Sequence, residues 1–179
     1  SATQYLHIDE PLTLKKGGQL PSFTLAYETW GKLNADRSNA VLILSGLSPS
    51  AHAASSEQDP SPGWWEPMIG PGAPIDTNRF HVIGVNSLGS CKGSTGPASK
   101  NPITGKTYRL DFPDLSVEDI AKSANMLVNH LGIEQICTMV GPSMGGMSSL
   151  SYLQQNKQGA RHFLTISSSP NSEPFSIAI

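Results

Sequence analysis

Three stretches of this chain are apolar almost without interruption: Ala40–Leu44 (AVLIL), His81–Val85 (HVIGV) and Ile136–Val140 (ICTMV). Short runs of this kind, stopped by turn residues such as Ser45-Gly46 and Asn86, suit strands covered on both faces. Phe23–Thr29 (FTLAYET) alternates instead, which predicts a half-buried strand with Phe23, Leu25 and Tyr27 pointing one way. His162–Ser167 predicts one more strand. Between them the period changes. Val117, Ile120, Ala121, Ala124, Leu127, Val128 and Leu131 recur as on one face of a helix. Ser116 stands at its N-cap, Glu118 and Asp119 put negative charge in the first turn, and Gly132 ends it. Met147, Leu150 and Leu153 predict one face of a second helix. Buried strands separated by helices indicate an α/β fold with a mostly parallel sheet, whose functional residues gather at the carboxyl ends of the strands.

Two connections are long: residues 45–80 and residues 86–115, 36 and 30 residues, where loops beyond about 12–15 residues usually carry function or are disordered. The first holds Trp64, Trp65, Met68 and Ile69, all candidates for burial. The second opens with small residues from Asn86 to Pro97, able to bring backbone close to a ligand. Both leave the carboxyl ends of strands, so both are expected to build a pocket there.

The chemistry concentrates in Gly141-Pro142-Ser143-Met144-Gly145. This G-x-S-x-G follows a strand and opens a helix, the context of a nucleophile elbow. The turn is tight, which is why residues 141, 145 and 146 are small. Ser143 is the expected nucleophile, and the backbone N–H of Met144 the expected oxyanion donor at the positive end of the helix. Without chemistry, the same residues would be a glycine-rich turn before a core helix. A second donor belongs on the loop after an earlier strand. Leu44–Pro49 is in that position, and the N–H of Leu47 is the expected donor, with Gly46 or Ser48 as alternatives.

Composition narrows the partners. The chain has 179 residues, a net charge of −2 and 37% hydrophobic residues. It has neither the basic patch of a nucleic-acid binder nor the ~20-residue apolar span of a membrane protein. Two cysteines, Cys91 and Cys137, make no disulfide framework, and Ser1–His7 lacks the pattern of a signal peptide. These features predict a cytoplasmic protein. No His/Cys cluster has metal-ligand spacing, and no glycine-rich piece ends in the GK[ST] of a phosphate loop.

The segments LSGLSPSAHAA (44–54), GWWEPMIGPGAPIDTNRF (63–80), NSLGSCKGSTGPASKNPITG (86–105), YRLDFPDLSVED (108–119) and VGPSMGGM (140–147) resemble the homoserine O-acetyltransferase family. That family belongs to the α/β-hydrolase superfamily and includes homoserine and serine O-succinyltransferases. The resemblance runs from about Tyr27 onward and is nearest the serine O-succinyltransferase branch. It implies an α/β-hydrolase fold and a cytoplasmic acyltransferase of methionine and cysteine biosynthesis. No cofactor would be bound, with acetyl-CoA or succinyl-CoA as co-substrate and homoserine or serine as acceptor. Residue by residue, Ser143 matches the acyl-accepting serine, Met144 its oxyanion neighbour, and Gly46-Leu47-Ser48-Pro49 the loop that sorts donors and acceptors.

The resemblance also implies a longer protein. Residues 1–179 correspond to the N-terminal portion of one domain, with a lid and the Asp and His of the triad in a second half. That half would be attached or supplied by a second polypeptide, and a homodimer is one assembly the resemblance allows. An apolar ending, Phe175–Ile179, is expected to need such a partner. The histidine should follow Ser143 in the chain, yet the only later one, His162, lies beside a strand. His52 is expected to line the pocket or brace its loop, and Glu173 lacks a base to orient. Trp64-Trp65 is either a pocket wall or a loop anchor. Cys91 and Lys92 read as exposed loop residues, although Lys92 could meet a carboxylate or phosphate. An esterase or thioesterase on the same elbow, and a non-catalytic half-domain, remain the alternatives.

Overall fold

The computed structural model describes residues 2–171 and Pro174. Among the described residues, ten strands and two α-helices follow one another. Strands β1 (Gln4–Ile8), β2 (Leu12–Thr13), β3 (Gln19–Leu20), β4 (Phe23–Trp30) and β5 (Ala40–Leu44) come first. A short 3-10 turn at Glu66–Met68 leads to β6 (Ile69–Gly70), β7 (Ile75–Asp76) and β8 (His81–Val85). A second such turn at Arg109–Asp111 precedes α1 (Val117–His130), β9 (Ile136–Pro142), α2 (Met144–Gln155) and β10 (Ala160–Ile166).

Six strands form one sheet in the order β1-β4-β8-β5-β9-β10. The pairs β8–β5, β5–β9 and β9–β10 are parallel, whereas β1 and β4 add an antiparallel flank. Every residue of β5 is buried, as its unbroken apolar run requires. One core lies under α1, where Ala121, Ala124, Leu127 and Val128 meet Leu42, Leu44, Ile83 and Met139. A second core, around Trp30, Val41, Ile43 and Val82, lies under residues of the long connection after β5.

Helix α1 begins and ends where its sequence signals put it. The Ser116 side chain accepts the Asp119 N–H, and the Asp119 carboxylate accepts the Ser116 N–H. This capping box satisfies two backbone donors the helix cannot pair internally. Gly132 then takes a left-handed φ of 68°, the conformation glycine adopts at lowest cost after a helix.

Three expectations change. β4 is buried on nearly both faces, because Ala26 and Glu28 are covered as well as Phe23, Leu25 and Tyr27. The buried face of α2 is Gly145, Ser148, Ser149 and Tyr152, while Met147, Leu150 and Leu153 stay half-buried. Small residues win that face because the helix presses against the end of β5, leaving no room for branched chains. The edge strand β1 has no counterpart in the pattern reading: its side chains are mostly exposed, and Tyr5 is 62% so. The predicted ending Phe175–Ile179 and Glu173 lie outside the described residues.

Replacing Ser116 by Ala should remove one arm of the capping box and cost about 1 kcal/mol of stability. A urea denaturation midpoint unchanged from that of the parent would show that Asp119 alone caps the helix.

Candidate active site

The site is assembled where β9 turns into α2. Ser143 occupies that turn with φ 53° and ψ −126°, a left-handed backbone that costs a non-glycine residue free energy and persists only where its surroundings enforce it. They do so here through backbone. The Ser143 N–H donates to the Ile166 carbonyl at 2.9 Å, and the Ser143 carbonyl accepts the Gly146 N–H at 2.9 Å. A Cβ on Gly145 would overlap the Leu44 carbonyl, and one on Gly141 would overlap the Gly145 carbonyl. The glycines of the motif are thus set by close approach, and the hydroxyl between them is exposed. No side chain among the described residues takes a hydrogen bond from it.

The first N–H groups of a helix have no intrahelical acceptor, so the Met144 N–H is available at the mouth of α2. Across from it, Gly46 is buried, and its Cα bears towards Ser143: a Cβ there would lie 3.7 Å from the Ser143 Cβ. Leu47 follows, 78% exposed. Leu47 and Met144 together border two cavities. One, of about 290 Å³, also includes Ser143, Met147, Ser167, Ser168, Ser169 and Asn171. The other, of about 410 Å³, extends towards Ser87–Ser90 and Arg109–Leu115. The structure therefore brings Ser143, Met144, Gly46 and Leu47 together. Ser48 is exposed and Pro49 half-buried in the same loop, and neither borders these two cavities.

The second long connection reaches the site as expected, and its strand-proximal end is pinned. Asn86 Nδ2 donates to Ser90 Oγ at 2.7 Å, Ser94 Oγ donates to the Asn86 carbonyl at 2.7 Å, and the Thr95 N–H donates to the Thr24 carbonyl at 2.9 Å. The first connection reaches these cavities only through Leu47. Its tryptophans stack at 5.2 Å, Trp64 donates to the Ser50 carbonyl, and both pack on the second core. They anchor the loop.

None of the five histidines reaches Ser143. His162 is in register with Thr138, five residues before Ser143, or about 16 Å along a strand. His81 begins β8, at the opposite end of the sheet, and its Nδ1 lies 3.2 Å from the Gly31 carbonyl. His7 is exposed beside Asp9, and His130 closes α1.

His52 is a loop brace. Its Nδ1 lies 2.9 Å from Glu28 Oε2, and its Nε2 lies 2.9 Å from the Ser61 carbonyl oxygen. Glu28 is buried in β4 and also accepts from Thr3 Oγ1 at 2.7 Å. Burial opposes charging the ring, but the hydrogen bonds to Glu28 and Ser61, with the charges of Glu28 and Asp59, outweigh it and raise the His52 pKa. Glu66 ties the same loop, accepting from Ser55 and from the Gly63 N–H, and those hydrogen bonds hold its carboxyl below the usual range. A buried acid facing a loop histidine has no short-range sequence signal, because the partners are 24 residues apart.

Cys91 is exposed and Cys137 half-buried, both as free thiols. Among the described residues no cluster of His, Cys, Asp or Glu could hold a metal ion, and no helix is long and apolar enough to cross a membrane.

A strained serine on the turn between a parallel strand and a helix, with the loop after β5 beside it, defines an α/β protein with a strand–turn–helix elbow at its candidate site. The family model described as the alpha/beta hydrolase fold matches residues 39–178, and the chain belongs to that family. Among curated relatives, the serine O-succinyltransferase of Xanthomonas euvesicatoria pv. vesicatoria is 56% identical over 179 residues, covering 100% of this chain and 45% of the relative. The serine O-succinyltransferase of Litchfieldella anticariensis is 55% identical over 178 residues, covering 99% and 48%. The chain spans about half the length of the curated relatives it matches. Among solved structures, homoserine O-acetyltransferase from Bacillus anthracis superposes with a TM-score of 0.87 at 31% identity, covering 98% of this chain and 49% of that one. Esterase E22 gives 0.89 at 34% identity, covering 98% and 50%.

The raised His52 pKa has a definite sign in stability. Folding favours the protonated ring, so its contribution is complete below the ordinary imidazole pKa of about 6.5 and is lost as pH rises through the raised value. His52→Gln should therefore destabilise the fold more at pH 6 than at pH 8, read from denaturation midpoints. A difference independent of pH would mean the ring braces the loop in its neutral form.

Proposed function

We propose that this chain is the nucleophile-bearing N-terminal part of an acyl-CoA-dependent O-acyltransferase that succinylates the hydroxyl of serine. The single observation that carries the reading is the strained Ser143 elbow set opposite Gly46-Leu47, on a chain 55–58% identical to serine O-succinyltransferases. Ser143 Oγ attacks the thioester carbonyl, and the N–H groups of Met144 and Leu47 hold the oxyanion of the tetrahedral intermediate. The carbon–sulfur bond breaks, the CoA thiol leaves with a proton, and the acyl group stays on Ser143. The hydroxyl of the acceptor serine then attacks this ester, the bond from the acyl carbon to Ser143 Oγ breaks, the acceptor's proton returns to Ser143 Oγ, and O-succinylserine leaves. No metal or cofactor enters this scheme.

A base must accept the Ser143 proton and return it to the departing thiol. Since none of the histidines here reaches the hydroxyl, the proposal assigns that base, its acidic orienter and a covering lid to sequence beyond these residues. The half-length coverage of the relatives supports this. Gly46–Pro49 is assigned to donor and acceptor choice, because Leu47 borders both cavities beside Ser143. The product fits cytoplasmic amino-acid biosynthesis: a succinyl ester turns a poor leaving group, hydroxide, into a good one, a carboxylate. Acetyl donors and homoserine are the nearest alternatives within the same reaction class. The esterase neighbour keeps water as the competing acceptor.

Two measurements test the reading. Ser143→Ala removes one exposed oxygen, so it should abolish the acyl-enzyme seen by intact mass while leaving the melting temperature within about 2 °C. A covalent succinyl adduct on the variant would move the nucleophile elsewhere. Release of CoA from succinyl-CoA by the intact protein should depend on added serine. Release at the same rate without serine would make the protein a thioesterase.

A further inference from the structure

Residues 97–109 form a narrow arm beside the larger cavity. Lys100 pairs antiparallel with Thr107, the Asn101 N–H donates to the Lys106 carbonyl at 2.8 Å, and the Tyr108 N–H donates to the Ser99 carbonyl at 2.9 Å. At its base the Arg109 N–H donates to the Pro97 carbonyl at 2.7 Å. These bonds hold the arm in one shape, with Pro102–Gly105 at its tip.

The charge on this arm is one-sided. It carries Lys100, Lys106 and Arg109 and no acidic residue, on a chain whose net charge is −2. All three cations are exposed. The two ion pairs among the described residues, His7–Asp9 and His52–Glu28, involve none of them. Surface cations that serve only solubility are usually interspersed with acids. Here the nearest, Asp111 and Asp114, lie beyond the base of the arm, with Asp114 at the cavity wall.

Arg109 adds a second, independent observation. Its φ is 52°, a left-handed conformation that a long side chain adopts at a cost and that gathers where ligands are handled. Its side chain borders the same cavity as Leu47 and Met144, beside Leu110, which is fully exposed. A positive group, an uncovered apolar one and the proposed oxyanion donors therefore share one space.

We infer that this arm docks the phosphate groups of the acyl-CoA donor, with Arg109 nearest the pantetheine arm and Lys106 and Lys100 farther out. This rests on the acyl-transfer reading above. The lengths agree. Between thioester sulfur and first phosphorus, pantetheine has about as many bonds as four residues of extended chain, roughly 15 Å. A compact cavity of about 410 Å³ is about 9 Å across, and Lys106, three residues from Arg109, adds up to about 10 Å. Phosphates leaving the cavity would emerge among the three cations, where charge-assisted hydrogen bonds replace their hydration. The acyl group and its carbonyl stay at Ser143.

The test compares two donors on the intact protein: succinyl-CoA, and the succinyl thioester of N-acetylcysteamine, which lacks every phosphate. In Lys100→Gln/Lys106→Gln, KM for succinyl-CoA should rise about tenfold while kcat with either donor and KM for the truncated donor hold within about twofold. Arg109→Gly, which removes the charge and suits the left-handed backbone, should raise KM for succinyl-CoA in the same way. Added salt should weaken succinyl-CoA use in the parent more than in the variants. Equal KM changes for both donors, or none for succinyl-CoA, would overturn the inference. Calorimetric binding of free CoA separates it from the reading it rests on. If the parent transfers no acyl group yet binds CoA more tightly than the variants, the arm stands and the transfer reading falls. Equal CoA affinity in parent and variants sinks the arm whatever the activity.

Discussion

The first turn of α2 lies against the end of β5 with no side chain between them, and the geometry of the site depends on that contact. Gly145 faces the Leu44 and Ser45 carbonyls so closely that even a methyl group would overlap them. This approach fixes where α2 can start, and so forces the chain at Ser143 through φ 53°. It also draws the loop after β5 beside the serine, since a Cβ built on Gly46 would be in van der Waals contact with Ser143. One contact thus sets both the conformation of Ser143 and the position of the loop beside it. The surrounding burial of β5, β8 and β9 holds the sheet rigid enough to keep it.

That dependence explains what the residue pattern revealed and what it concealed. β5 and β8 were legible to the residue because apolar runs with sharp polar ends leave little freedom in register. Helix α1 was legible from its period and its cap, and the position of Ser143 on a turn between strand and helix from the residues on either side of it. The buried face of α2 was not. Hydrophobic periodicity looks for Met147, Leu150 and Leu153, whereas close approach selects Gly145, Ser148 and Ser149, which score as polar or neutral. β1 escaped because an exposed edge strand needs no apolar alternation. The Glu28–His52 pair escaped for a third reason: nothing local marks two residues that meet only after β4 has paired into the sheet and the long loop has folded back.

The two long connections turn out to divide the work. The loop after β5 is braced by three devices, the Glu28–His52–Ser61 chain, the Glu66 cluster and the stacked tryptophans. All three hold loop residues past Leu47, so the residue beside Ser143 is the exposed end of a tightly anchored segment. The loop after β8 is pinned at its start through Asn86, Ser94 and Thr95 and then projects outward as a basic arm. A rigid edge near the reacting carbon and a charged extension away from it suit a donor with a small acyl group and a large phosphorylated carrier.

Such a division also bears on water. An acyl-enzyme that must pass its acyl group to an amino-acid hydroxyl competes with a solvent at far higher concentration, so the acceptor has to be oriented and water held off. In the residues described here Ser143 is exposed, and the Leu47 and Leu110 side chains that border its cavities are among the most exposed apolar groups. Uncovered apolar surface of this kind beside the proposed nucleophile is what a lid or a bound carrier would bury. On the proposed reading, the difference between a transferase and an esterase would therefore not lie in Ser143 or the N–H groups beside it, which either chemistry would use alike. It would lie in what closes over Leu47 and Leu110 while the ester is intact.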